Sequence, residues 1–140
     1  MNLTELKNLF QEIEIINNKL VVKSNILKIL AFIKENYKFN LLKSITAVDL
    51  QELGVELIYN LYSVENEEEL LISTLVNKVT ESVSSIFDSA VADEKEIYDL
   101  FGIEFNGNKE LKRLYLPDDW KGHPLKKDYV EDDERLRWND

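Results

Sequence analysis

Val55-Glu56-Leu57-Ile58-Tyr59-Asn60-Leu61-Tyr62-Ser63 alternates as a half-buried strand does, with Val55, Leu57, Tyr59 and Leu61 on one face and Glu56, Asn60 and Tyr62 among the residues opposite. Glu65-Asn66-Glu67-Glu68-Glu69 follows as a solvated turn, and Leu70 to Lys78 reads as the returning strand. A further strand, Ser44 to Leu50, precedes the pair. Working toward the N-terminus, Ser24 or Asn25 opens a helix whose buried stripe is Ile26, Leu27, Leu30, Ile33 and Tyr37. Ile13 to Lys23 reads as two short strands around Asn17-Asn18, a dipeptide that tolerates left-handed turn angles. Asn2 caps a first helix with Glu5 three residues on, and Leu3, Leu6, Leu9, Phe10 and Ile13 lie to one side of it. In the other direction, Asp93 with Glu96 forms a capping-box pattern, and a helix of two turns is expected from Asp93 to Phe101, stopped by Gly102. The expected fold is α+β: a two-layer domain over residues 1–116, helices packed on one face of a mainly antiparallel sheet. An extended, proline-bearing segment, residues 117–140, completes the chain.

Composition narrows the function classes. The 140 residues fit one domain, and 44% apolar with 31% charged residues supply a single core and not a disordered chain. Seventeen cations against 27 carboxylates leave a net charge of −10, the wrong sign for nucleic acid or for anionic lipid. The chain has no cysteine, which removes disulfides, thiolate metal sites and a thiol nucleophile. No apolar run reaches the roughly 20 residues of a spanning helix. The amphipathic N-terminus is unlike a targeting peptide, so an intracellular protein is expected.

Few residues can carry catalysis. The glycines at 54, 102, 107 and 122 are too scattered to cradle phosphate. The one histidine, His123, would have to serve any triad with Ser84, Ser85 or Ser89, or any metal site with Asp118, Asp119 or Asp128. Glu96 and Asp99 are three apart on one helix, hence neighbours. Either the two like charges raise a pKa for acid–base work, or they bind Lys112 or Arg113 and lock the helix onto the following segment. The stretch Leu114 to Tyr129 carries Tyr115, Trp120, His123, Leu125 and Tyr129 on a backbone stiffened by both prolines. Large flat side chains on a pre-ordered backbone suit a docking surface; the plainer alternative is that the segment covers its own sheet.

Two blocks also carry a family resemblance. Asp93-Glu94-Lys95-Glu96-Ile97-Tyr98-Asp99-Leu100-Phe101-Gly102-Ile103 resembles the Glu-Arg-Glu-x-Tyr-Asp-x-Phe-Gly-Ile signature of the thirty-kilodalton subunit of respiratory complex I, NADH:quinone oxidoreductase. Pro117-Asp118-Asp119-Trp120-Lys121-Gly122-His123-Pro124-Leu125-Lys126-Lys127-Asp128-Tyr129 is similar to a second block of that family, which has counterparts in membrane-bound energy-converting hydrogenases. The likeness covers roughly residues 25 to 130. Departures are Ala92 for a frequent Trp, Lys95, Lys112 and Lys126 for Arg, and Asn108-Lys109 for His-Pro. Lysine keeps the charge but loses the planar two-pronged donor. These departures, with a length short for the respiratory family, keep open an equivalent subunit of a [NiFe] hydrogenase. The resemblance implies a non-catalytic subunit of the hydrophilic arm that holds no cofactor of its own. It implies packing against the large quinone-site subunit and the cluster-bearing subunit, on the cytoplasmic side of the membrane and attached to it only through the complex. In that frame Glu94, Lys95, Glu96, Tyr98, Asp99, Phe101, Gly102, Lys112 and Arg113 set internal geometry. Trp120, Gly122, His123, Pro124, Leu125, Lys126, Lys127, Asp128 and Tyr129 would meet the partner.

Overall fold

A computed structural model of the chain describes residues 3–17, 19–110, 123 and 125. In order they form α1 (Leu3–Leu9), β1 (Ile13–Ile16), β2 (Lys19–Val22), α2 (Ile26–Tyr37), β3 (Leu41–Asp49), a 3-10 turn (Gln51–Leu53), β4 (Val55–Ser63), β5 (Glu68–Val76), β6 (Val79–Glu81), α3 (Ala90–Phe101) and β7 (Glu104–Asn106). Five strands make one sheet in the order β1-β2-β5-β4-β3, antiparallel except for β2 against β5. The fold is α+β, with the mainly antiparallel sheet expected from the strand patterns.

Alternation in β4 builds the core. Val55, Leu57, Tyr59 and Leu61 are wholly buried, and the pairing sets them beside Val76, Thr74, Ile72 and Leu70 of β5. Ile45 and Ala47 of β3 continue this inner face, as do Leu20 and Val22 of β2. The inner face packs with Ile26, Ile29, Leu30 and Ile33 of α2 in a single hydrophobic cluster. Burying each such side chain contributes about 1.5–3 kcal/mol, so these few residues decide which way every strand faces. Gly54 is required before β4: its φ is +110°, and an added Cβ would sit 2.6 Å from the Val76 carbonyl oxygen.

Several expectations need correction. Ile29 belongs to the buried stripe of α2, while Leu27 and Tyr37 are only partly covered. Leu9 is 56% exposed because α1 is a short helix burying only Leu6. Asn25 precedes α2 in a left-handed conformation, and its side chain donates to Glu12 and not to the helix. The third helix begins at Ala90, three residues before the expected Asp93. Asp93 is therefore inside the first turn and makes no capping box. The short parallel pair β6–β7, joined by α3, and the parallel contact of β2 with β5 have no local sequence signal. Such pairings depend on the crossover path and not on the strand itself.

Two buried side-chain atoms, the Tyr59 hydroxyl and Asn60 Oδ1, lack a hydrogen-bond partner among the described residues. Burial pushes the Tyr59 pKa well up. An unpaired buried hydroxyl costs on the order of 1–3 kcal/mol. Tyr59→Phe is therefore expected to keep the fold and raise stability by about 1 kcal/mol in urea unfolding; a loss of that size would mean the hydroxyl is satisfied.

Candidate functional site

The helix α3 holds the signature residues, and its first turns tie three separate pieces of the chain together. Glu94 is wholly buried. Its carboxyl accepts from the Ser82 hydroxyl at 2.6 Å, the Val83 amide at 2.9 Å and the Asn108 side-chain amide at 3.0 Å. Because the single Ser82 proton goes to Glu94, the Ser84 hydroxyl 2.7 Å away must donate to Ser82. The segment before α3 and the segment after β7 are thereby fastened to the same side chain. Burial pushes the Glu94 carboxyl above its ordinary range, and the three donors, which pull it down, offset that only in part. A raised folded value means that this group's contribution to stability is complete below the ordinary glutamate range. It is lost as pH rises through the folded value.

Asp93 of α3 and Ser89, which immediately precedes the helix, face the sheet instead. Asp93 accepts from the Ile45 amide at 3.1 Å, and the Ser89 hydroxyl donates to the Leu42 carbonyl at 3.0 Å. Both backbone groups belong to β3, the edge strand, where the register shifts around Lys43. These side chains thus cover an edge that would otherwise leave backbone groups unpaired. Burial raises the Asp93 pKa as well, against the pull of the Ile45 amide.

At its far end α3 receives the C-terminal segment. Gly102, at φ +80°, donates its amide to the Tyr98 carbonyl and stops the helix as expected. The His123 ring lies on it: an added Cβ at Gly102 would come within 2.7 Å of His123 Cδ2. His123 Nδ1 is 2.8 Å from the Asp99 carbonyl, and since a carbonyl only accepts, Nδ1 carries the proton. The ring meets Tyr98 edge to face at 5.9 Å, and the Leu125 amide donates to the Leu100 carbonyl at 2.9 Å. Three carbonyls left open at the helix end therefore find donors.

Of the residues expected to set internal geometry, Glu94, Tyr98, Asp99, Phe101 and Gly102 cluster on or against α3. Lys95, with its side chain only 14% exposed, reaches Glu110 at 3.9 Å, and Glu96 faces outward. Glu96 and Asp99 do not form an exposed like-charged pair, because Asp99 is buried. Lys112 and Arg113, and the ion pairs expected of them, lie outside the described residues. So do Trp120, Gly122, Pro124, Lys126, Lys127, Asp128 and Tyr129, and Asp118 and Asp119 of the possible metal site. Ser89 is engaged with β3 and Ser84 with Ser82, and neither contacts His123 in any described hydrogen bond. The residue that sequence reading undervalued is Asn108. Its side-chain amide supplies an N–H donor to the buried carboxyl. Its Oδ1 accepts from the Glu110 amide at 3.0 Å, which fixes its orientation.

Comparison with known proteins adds to this geometry. The family model described as respiratory-chain NADH dehydrogenase, 30 Kd subunit, matches residues 20–135. The C-type subunit of NADH-quinone oxidoreductase from Geobacter sulfurreducens is 39% identical over 115 residues, covering 78% of this chain and 71% of the relative. Its counterpart from Moorella thermoacetica is 33% identical over 134 residues, 89% of this chain and 90% of the relative. The C/D-type subunit of NADH-quinone oxidoreductase from Phocaeicola vulgatus is 36% identical over 109 residues, 75% of this chain and 21% of that longer protein.

The contact of Gly102 with His123 is testable as a pair. Gly102→Ala is expected to cost about 1–2 kcal/mol for the left-handed backbone alone, and more because the imidazole must move. In a His123→Ala background that extra cost should vanish, leaving a coupling of about 1 kcal/mol in urea unfolding; additive effects would place the ring elsewhere in solution.

Proposed function

The chain belongs to the family of the 30 kDa subunit of respiratory-chain NADH dehydrogenase, and on that premise we propose that it is a non-catalytic bracing subunit in the hydrophilic arm of a complex I-type NADH:quinone oxidoreductase. One observation carries this reading: the buried carboxyl of the signature, Glu94, is engaged by three donors of its own chain and holds three segments in fixed relation. Asp93 is likewise engaged by the sheet edge. Side chains held this way suit rigidity better than proton transfer. Electron transfer requires set distances between centres carried by other subunits, and a stiff subunit packed against them maintains those distances.

In this proposal residues 1–116 form the brace and residues 117–140 the docking segment. Trp120, Gly122, Pro124, Lys126, Lys127, Asp128 and Tyr129, together with Leu125, meet the large quinone-site subunit. Leu125 supports that role: its amide is held by α3 while its side chain is 51% exposed. His123 contributes differently, as an internal latch that holds the segment against the end of α3. The relative named C/D supports a close neighbour in the large subunit, since joining two chains in one polypeptide suits partners that lie side by side. Signature residues Lys95 and Glu96 belong to the brace, as do Lys112 and Arg113. The chain itself holds no cofactor and sits on the cytoplasmic side of the membrane through its complex. No helix among the described residues is long and apolar enough to cross a membrane. The relatives' names favour an NADH dehydrogenase over a hydrogenase assembly.

Affinity capture of the tagged chain from its native membranes, followed by identification of the co-purified subunits, tests the proposal. NADH dehydrogenase subunits are expected, and Trp120→Ala should reduce their recovery at least tenfold while leaving the isolated domain folded. Recovery of a nickel-binding large subunit would move the chain to the hydrogenase type. Undiminished recovery with Trp120→Ala would remove that residue from the interface.

A further inference from the structure

The outer face of the sheet is unlike the solvated face of an ordinary two-layer domain. An antiparallel sheet with one open side alternates apolar inward and polar outward. The outward positions of β5, the middle strand, are Glu69, Leu71, Ser73 and Leu75, so two leucines, 41% and 52% exposed, stand where polar residues are usual. Ile16 and Val21 from the β1–β2 hairpin and Leu50, just after β3, flank them. Together they line an open groove of about 830 Å³. Apolar side chains exposed together and rimmed by polar groups suit an interaction site. Polar groups at its margin are mostly committed. Lys19 lies 3.5 Å from Glu56, and Glu56 accepts from the Ser73 hydroxyl at 2.8 Å. Glu69, on the groove wall and exposed, meets no cation among the described residues.

We propose that this outer sheet face docks an apolar segment of another protein of the complex, one that carries a lysine or arginine placed to meet Glu69. The inference rests on membership in that assembly and adds a second surface, distinct from the docking of the C-terminal segment. Charge selects the occupant. A second copy would bring another Glu69 and another chain of net charge −10 against the groove, so self-association is opposed. A basic, apolar partner segment is attracted, fills the groove with apolar side chains and neutralises Glu69.

The test uses the assembled complex. A photo-crosslinking amino acid placed at position 71 or 75 in the tagged chain should join it, in native membranes, to a peptide of another protein of the complex that contains Lys or Arg. Leu71→Lys with Leu75→Lys should cut co-purification of other subunits at least tenfold while the melting curve of the isolated chain stays unchanged. Glu69→Lys alone should cut it severalfold. Crosslinks only to a second copy of this chain, or none, overturn the proposal even where the double variant fails to fold. Undiminished co-purification of the double variant with the complex overturns the docking face but leaves the bracing function standing. If the wild-type chain brings down no other protein of the complex, both fall together.

Discussion

A carboxyl group removed from water must be surrounded by donors, and Glu94 meets that requirement by gathering Ser82, Val83 and Asn108 around itself. Those three residues come from both sides of α3 in the chain. The one side chain therefore closes the crossover from β6 through α3 to β7. Loss of the carboxyl would leave several buried donors unpaired at about 1–3 kcal/mol each. That sum is comparable with much of a small domain's net stability. The rest of α3 is set from this anchor. Its first turn and the residue before it cover the edge of β3 through Asp93 and Ser89, and its last turn presents carbonyls to His123 and Leu125.

Two surfaces follow from that framework. The C-terminal segment is held to the end of α3 at His123, whose ring occupies the space over Gly102 and donates to the Asp99 carbonyl. The sheet, closed on its inner face by α2, presents an apolar groove on the other. The bracing role we propose would use a stiff interior together with exposed apolar faces, and one sheet carries both features here.

Much of this was legible in the residues. The alternation of Val55, Leu57, Tyr59 and Leu61 specified the inner face of β4, and Asn17, in the left-handed region at φ +51°, sits after β1 as the turn signal required, because both signals are local. Gly102 marked the end of α3 for the same reason. The start of α3 was misjudged because Asp93 has the chemistry of a cap, and only the tertiary position of Ile45 gives it another use. The parallel pairs β2–β5 and β6–β7 were not legible, since register between distant strands is decided by the path of the connection. Asn108 looked like a departure from the family, but its amide supplies the N–H donor that the buried carboxyl requires.

The account stands on the Glu94 anchor, and amide hydrogen exchange at Val83 reads it most directly. Val83 lies in no strand or helix, so its amide is protected only by the bond to Glu94 and by burial. The account predicts that this amide exchanges as slowly as those of the central strand β5 and becomes fast in Glu94→Ala, while β5 remains protected. A Val83 amide that exchanges at the rate of an exposed loop in the unaltered protein would contradict it.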